Sequence, residues 1–199
     1  MLLTFPDFSR IMSRATTDIV QTERDIIIQC KDGKKEALRW VVRQHQRLVF
    51  SLGLKMLADE EEAKDVVQET FIRVWQRIAD YDPQKPFTTW LYTIASRLCL
   101  DRLKQMRRIL PLPKDERVLQ RFANDSQRTL ENSEWVSIVR MLAEGLSPKQ
   151  KLVFTLCQME GLPSAEVEQI TGLDDKQVKS NLYVARQTIR ERLKHLGYE

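Results

Sequence analysis

Apolar residues recur along most of this chain at the three- and four-residue spacing of an α-helix, and no segment alternates apolar and polar residues as a half-buried strand does. Gly, Pro and capping residues divide the pattern into separate helices. An example is Ser147-Pro148-Lys149-Gln150, which combines an N-cap Ser, a Pro at the first helical position and a Gln three residues after the cap. The pattern predicts helices over about 18–31, 34–57, 59–78, 87–107, 148–160, 164–171 and 175–195.

The helical pattern is interrupted in the middle of the chain, where polar residues surround Pro111 and Pro113. We therefore predict an all-α protein of two small helical domains joined by a flexible linker. The first domain covers 18–108, the linker 109–133 and the second domain 134–199, and residues 1–17 form an extension that we expect to be mobile.

The composition excludes several classes of protein. The 199 residues are 42% hydrophobic and 30% charged, with a net charge of +4, and no apolar run approaches the roughly 18 residues of a membrane span. The first residues lack the basic segment and cleavage site of a secretory signal. Three widely spaced Cys and two isolated His predict neither a disulfide framework nor a metal site, which fits a reducing cytoplasm. No catalytic or phosphate-binding motif is present, so we expect neither an enzyme nor a cofactor.

The C-terminal segment has the layout of a helix-turn-helix. A short helix is followed by the turn Thr171-Gly172-Leu173-Asp174 and by a longer helix rich in polar and basic residues. Such side chains reach phosphates and base edges when a helix enters the major groove, although a solvated helix of an ordinary bundle has a similar pattern. The candidate DNA-binding residues are Lys176, Gln177, Lys179, Ser180, Asn181, Tyr183 and Arg186.

Charge is distributed unevenly in the first domain. Six carboxylates stand against one lysine between residues 59 and 69, and the polar face of that helix also carries the apolar Ile72. We interpret this face as a docking surface for a basic protein partner. Acidic residues at a helix N-terminus also stabilise the helix dipole, which is an alternative explanation for residues 59–62.

Aromatic residues precede a basic helix segment, 97–108, in which five cations stand against Asp101. Exposed aromatic rings beside cations hold single-stranded nucleic acid by stacking on unpaired bases. Phe87 fits a core position better, whereas we expect Tyr81 and Tyr92 to be accessible. The candidate residues of this surface are Tyr81, Trp90, Tyr92, Arg97, Arg102 and Lys104.

Two sets of motifs resemble bacterial sigma factors of the extracytoplasmic-function (ECF) type, in the sigma-70 superfamily. The run Asp65-Val-Val-Gln-Glu-Thr-Phe-Ile-Arg-Val-Trp75 and the run Phe87-Thr-Thr-Trp-Leu-Tyr-Thr-Ile-Ala95 resemble the second region of that family. The run Leu146-Ser-Pro-Lys-Gln and the run Val178-Lys-Ser-Asn-Leu-Tyr-Val-Ala-Arg186 resemble its fourth region.

The resemblance implies a transcription initiation factor that binds core RNA polymerase and promoter DNA and is controlled by an anti-sigma factor. It implies that Asp65, Gln68 and Glu69 dock on the polymerase clamp, next to Ile72. It places the loop 81–87, Trp90 and Arg97 at the −10 element and the last helix at the −35 element. Ser96-Arg97 replaces the more usual Arg-Asn, and Glu168 stands at a usually small position, so we expect its carboxylate to face water or a partner.

Three alternatives remain open at this point. A helix-turn-helix regulator that binds duplex DNA without polymerase would explain the C-terminal segment alone. An adaptor that uses the same fold only to bind proteins would select no promoter. An enzyme would require a deep polar pocket with clustered titratable groups.

Overall fold

The computed structural model describes residues 22–109 and 145–195, and every regular element in these two ranges is helical. A 3₁₀ turn, Ile78–Asp80, follows the third helix, and a π-helical turn, Thr155–Met159, follows the fifth. The helices are α1 (Glu23–Lys31), α2 (Lys35–Leu57), α3 (Glu60–Arg77), α4 (Phe87–Ile109), α5 (Pro148–Phe154), α6 (Ser164–Thr171) and α7 (Asp175–His195).

Side-chain caps fix where several helices begin. Thr22 and Asp25 form a reciprocal capping box at α1, and Ser147 and Gln150 form the one predicted at α5. Asp59 accepts a hydrogen bond from the backbone N–H of Glu62 at the start of α3. These caps explain why most of the sequence-based boundaries agree with the structure to within about two residues. The start of the first helix is an exception, because α1 begins at Glu23, after its Thr22 cap, and not at residue 18.

The fifth predicted helix differs from the expectation in form. It is α-helical only to Phe154 and continues as the π-helical turn, at the end of which the Glu160 N–H donates to the Thr155 carbonyl. A π-turn inserts one residue into the helical ladder and so changes the direction of the side chains that follow. The predicted extension 1–17, the linker 109–133 beyond its first residue, and the start of the second domain lie outside the described residues.

The two domains share one core. In the first domain, α2, α3 and α4 pack around fully buried side chains such as Val41, Leu52 and Leu91. The same continuous apolar cluster extends through α4 to Leu156 and Val167 of the second domain. The predicted all-α architecture of two helical units is confirmed, and the described units lie packed against each other.

Within 22–109 and 145–195, no helix has both the length and the apolar character required to cross a membrane.

Candidate functional site

The acidic candidates form an exposed stripe on α3. This helix buries Val66, Phe71 and Val74 against the core, which turns the opposite side to solvent. Asp65 and Gln68 are exposed, Glu69 is half-buried, and the apolar Ile72 is 44% exposed. The structure therefore brings all four predicted docking residues onto one face.

Salt bridges hold parts of this stripe in position. The Arg73 Nε lies 2.9 Å from Glu69 Oε1 one turn along α3. Across the helix pair, Arg102 of α4 lies 3.4 Å from Glu62 Oε2 and 3.8 Å from Asp65 Oδ2. Arg102, predicted to contact DNA, thus partly neutralises the face predicted to contact a protein.

The expectation that Tyr81 is accessible is wrong. Tyr81 is 5% exposed, and its ring centroid lies 5.4 Å from that of Phe87 and 5.3 Å from that of Trp90. Its hydroxyl donates to the Lys85 carbonyl, which closes the loop between the 3₁₀ turn and α4. The ring is buried because contact with other aromatic side chains stabilises the fold, whereas exposing its large apolar surface to water would not. Phe87, predicted to be a core residue, is buried.

The expectation that Tyr92 is accessible is also wrong, for a different reason. Tyr92 is 4% exposed because the second domain covers it, and its hydroxyl donates to Glu160 Oε2 at 3.0 Å. Burial, followed by the nearby Glu160 charge, raises the pKa of Tyr92 well above its usual value, so the hydroxyl stays protonated and can donate. The spacing of apolar residues within one domain cannot predict a contact with a residue of the other domain.

The other candidates of the aromatic-basic surface are less enclosed. Trp90 is half-buried, Arg97 is exposed, and Lys104 is exposed with its Nζ 3.4 Å from Asp101 Oδ1. Ser96, which precedes Arg97, is 1% exposed, and its hydroxyl has no hydrogen-bond partner. Of these two adjacent residues, only Arg97 is therefore accessible to a ligand.

The helix-turn-helix forms as predicted. α6 ends at Thr171 and is capped by Gly172, whose φ of +73° is the left-handed conformation that Gly adopts without strain. Asp174 and Gln177 then cap α7 reciprocally: the Gln177 N–H donates to Asp174 Oδ1 at 2.7 Å, and the Asp174 N–H donates to Gln177 Oε1 at 3.2 Å. Val178, Ala185 and Ile189 are buried and Leu182 packs against the core, so the opposite side of α7 faces outward.

The predicted DNA-binding residues occupy this outward side. Tyr183 is 67% exposed, while Asn181 is half-buried with its amide on the Gln177 carbonyl. Arg186 is exposed and its Nε lies 3.2 Å from Gln158 Oε1. The exposed members of the set are Lys176, Gln177, Lys179, Ser180, Tyr183 and Arg186.

Asp175 and Glu168 set the charge beside the start of α7. A hydrogen bond from Lys179 to Asp175, at 2.8 Å, raises the pKa of Lys179, and Glu168 adds to that shift. Glu168 is half-buried and lies near this cation, as expected for a carboxylate at its position.

Sequence reasoning missed a polar cluster between the domains. Lys55 Nζ lies 2.6 Å from Glu160 Oε1, and the Thr89 hydroxyl donates to Glu166 Oε1 at 2.7 Å. The pairs are separated by 105 and 77 residues, so no local pattern could have linked them. In the described part of the chain, no group of three or more His, Cys, Asp or Glu side chains is arranged to hold a metal ion.

Comparison with known families gives two matches in chain order. Residues 41–109 match Sigma-70 region 2, and residues 137–189 match Sigma-70, region 4. Together the two matches cover more than half of the chain.

Individual proteins agree with these matches. The chain is 32% identical over 156 residues to the ECF RNA polymerase sigma factor SigE of Mycolicibacterium smegmatis. The aligned residues cover 77% of this chain and 60% of SigE. It is 26% identical over 179 residues to the ECF sigma factor SigW of Bacillus subtilis, covering 85% of this chain and 96% of SigW.

Two solved structures share the fold. CnrH, in complex with the cytosolic domain of CnrY, has a TM-score of 0.63 at 22% identity over 87% of this chain and 97% of CnrH. The sigma factor RpoE of Bartonella quintana, in complex with the anti-sigma factor NepR, has a TM-score of 0.57 at 20% identity over 78% of this chain and 96% of RpoE. Given both regions in order, the helix-turn-helix and these relatives, the chain belongs to the ECF sigma factors of the sigma-70 family.

Proposed function

We propose that this chain is a transcription initiation factor that binds core RNA polymerase and directs it to specific promoters. The observation that carries the proposal is the presence, in one chain, of an exposed acidic-apolar stripe on α3 and an outward-facing polar-basic surface on α7. A duplex-binding regulator would use the second surface and leave the first without a role. RNA synthesis itself is then the work of the polymerase, and the chain supplies recognition.

Each surface has one proposed partner. Asp65, Gln68, Glu69 and Ile72 dock on the polymerase, because a carboxylate stripe with an exposed apolar side chain complements a basic, partly apolar protein surface. The outward side of α7 reads the −35 element in the major groove. Trp90, Arg97, Arg102 and Lys104 face the −10 element, and Tyr81 supports that surface from within the aromatic cluster.

Location and control follow from these partners. A factor that works on polymerase and chromosomal DNA acts in the bacterial cytoplasm. The similar structures are complexes, of CnrH with the cytosolic domain of CnrY and of RpoE with the anti-sigma factor NepR, which supports an anti-sigma factor as the regulator of this chain.

Reconstitution with core polymerase tests the proposal. Purified chain and core polymerase are incubated with a library of genomic fragments, and the 5′ ends of the transcripts are mapped. We expect new start sites that share −10 and −35 sequences and that require the chain. Start sites identical with and without the chain would refute the proposed function.

A further inference from the structure

Three hydrogen-bond donors of the first domain converge on two glutamates of the second. The Lys55 ammonium and the Tyr92 hydroxyl hold the two oxygens of Glu160, at 2.6 Å and 3.0 Å. One turn before Tyr92 on α4, the Thr89 hydroxyl holds Glu166 at 2.7 Å. Lys55, Thr89 and Tyr92, hereafter the donor cluster, therefore lie on one surface of the first domain.

The two glutamates cover this surface closely. Thr89 and Tyr92 are 6% and 4% exposed, and the side chain of Glu160 is 13% exposed. The π-helical turn places Glu160 where its side chain meets both α2 and α4. The Lys55 side chain is 25% exposed and Glu166 is half-buried, so the contact is specific and partly shielded from water.

The chemistry of the donor cluster matches a second anion as well as it matches a carboxylate. An ammonium and two hydroxyls are the side-chain groups that proteins commonly direct at phosphodiester oxygens. Tyr92 also lies between Trp90 and Arg97 in sequence, on the helix proposed to face the −10 element. When the domains separate to reach two promoter elements, the cluster is uncovered beside that DNA.

We propose that the donor cluster binds the sugar-phosphate backbone of the promoter, and that Glu160 and Glu166 occupy this site while the domains are packed together. This inference rests on the proposed function, because it requires DNA beside α4. The glutamates act as intramolecular competitors, so the donor cluster of the isolated chain contributes little to DNA binding while the domains are packed. Separation of the domains then exposes the phosphate site beside the −10 surface, whose Arg97 and Lys104 are already exposed.

The first test measures binding of the free full-length chain to a 20-nucleotide single-stranded DNA of mixed sequence, since backbone contacts do not depend on sequence. The double variant Glu160→Gln/Glu166→Gln keeps side-chain size and removes both charges. If nine-tenths of the wild-type chain is closed, opening it tightens binding by about tenfold. The matched control is Glu36→Gln/Glu61→Gln, which removes two charges at side chains that are 82% and 85% exposed.

The second test places donor substitutions in the double-Gln background, where the closed form no longer competes. Lys55→Gln should reduce the slope of log affinity against log salt by about 0.7, the value for one phosphate on a single strand. Tyr92→Phe should weaken binding with the slope unchanged. Lys35→Gln, an exposed lysine at the start of α2, is the control and should leave affinity close to that of the double-Gln parent.

Small-angle scattering and circular dichroism accompany each variant. A double-Gln chain that becomes more extended, remains helical and gains no DNA affinity would overturn the inference, as would unchanged salt slopes for Lys55→Gln. These results do not depend on the mapping of start sites. If the wild type supports promoter-dependent transcription and the variants leave DNA affinity unchanged, the phosphate site alone is refuted. If the variants change DNA affinity as expected and the wild type does not support promoter-dependent transcription, the proposed function alone is refuted.

Discussion

Arg102 and Asp65 join the two surfaces of the first domain: Nη2 of the arginine lies 3.8 Å from Oδ2 of the aspartate, from α4 to α3. The same guanidinium lies 3.4 Å from Glu62. Both partners are partly exposed, so the pairs contribute little to stability, on the order of 0–1 kcal/mol. Their consequence is positional, because a side chain proposed for DNA is held beside one proposed for polymerase.

The docking stripe can be tested by charge reversal. Glu69→Lys should lower the affinity for core polymerase by about a hundredfold, because a like charge then faces the proposed basic partner surface. Loss of the Glu69–Arg73 pair should cost the fold only about 0.3–0.5 kcal/mol. Affinity is measured by titration of labelled chain with core polymerase, and Glu36→Lys on α2 is the control. Equal affinities for Glu69→Lys and wild type would remove Glu69 from the interface.

Two isoleucines separate stability from docking. Ile27 is 2% exposed and Ile72 is 44% exposed. Ile27→Ala should lower the free energy of unfolding by about 2–5 kcal/mol, since it leaves a cavity in the core. Ile72→Ala should change it by less than about 0.5 kcal/mol and weaken core binding instead. Urea unfolding and polymerase titration measure the two effects, and a stability loss for Ile72→Ala equal to that for Ile27→Ala would contradict the assignment.

Arg186 tests the major-groove surface. Arg186→Ala should weaken binding of the holoenzyme to duplex promoter DNA and reduce its salt slope by about 0.9, the value for one phosphate. Removing the Arg186–Gln158 contact should leave the fold intact, because Arg186 is exposed. Arg39→Ala, a surface arginine of the first domain that is 69% exposed, is the control. An unchanged slope for Arg186→Ala would show that Arg186 contacts no phosphate.

Gly172 tests the turn that orients α7. A Cβ at this position meets no atom within 4 Å, so substitution introduces backbone strain without a clash. Gly172→Ala should cost about 1–2 kcal/mol because Ala is forced into the left-handed region, and Gly172→Asn should cost less. Thermal unfolding measures both. Equal stability of wild type and Gly172→Ala would mean that the turn relaxes to another conformation.

Cys99 should make the free energy of unfolding depend on pH in the alkaline range. Burial raises the pKa of this thiol from 9.0 to about 12, so the folded chain keeps the proton that the unfolded chain loses. The contribution of the protonated thiol is complete below the unfolded pKa and declines as the pH rises above it, by at most about 1.4 kcal/mol per pH unit. Urea unfolding of Cys99→Ala should show a shallower decline between about pH 9 and about pH 10 than wild type. Parallel declines would contradict the assignment.

Local features of the fold could be predicted from the sequence because they depend on neighbouring residues. The Ser147–Gln150 cap, the Gly172 turn and the bounds of α6 and α7 all follow from side chains within a few positions of each other. The exposure of Ile72 also follows, since its position opposite the apolar stripe of α3 is a matter of helical period.

Features that depend on distant partners were not predictable in this way. Tyr81 has the sequence context of an exposed loop aromatic, and only the fold brings Phe87 and Trp90 around it. Tyr92 was expected at the surface and is covered by a domain 68 residues away in the chain. The π-helical turn that presents Glu160 has no recognisable signal in the sequence.

The most direct test of the central claim is run-off transcription by core polymerase and the purified chain on three templates. One carries a promoter mapped from the genomic library, and the others replace either its −10 or its −35 element. We predict a transcript with one defined start on the intact template, only when the chain is present, and a strong loss on each altered template. Equal transcription from all three, or transcription that does not require the chain, would contradict the account.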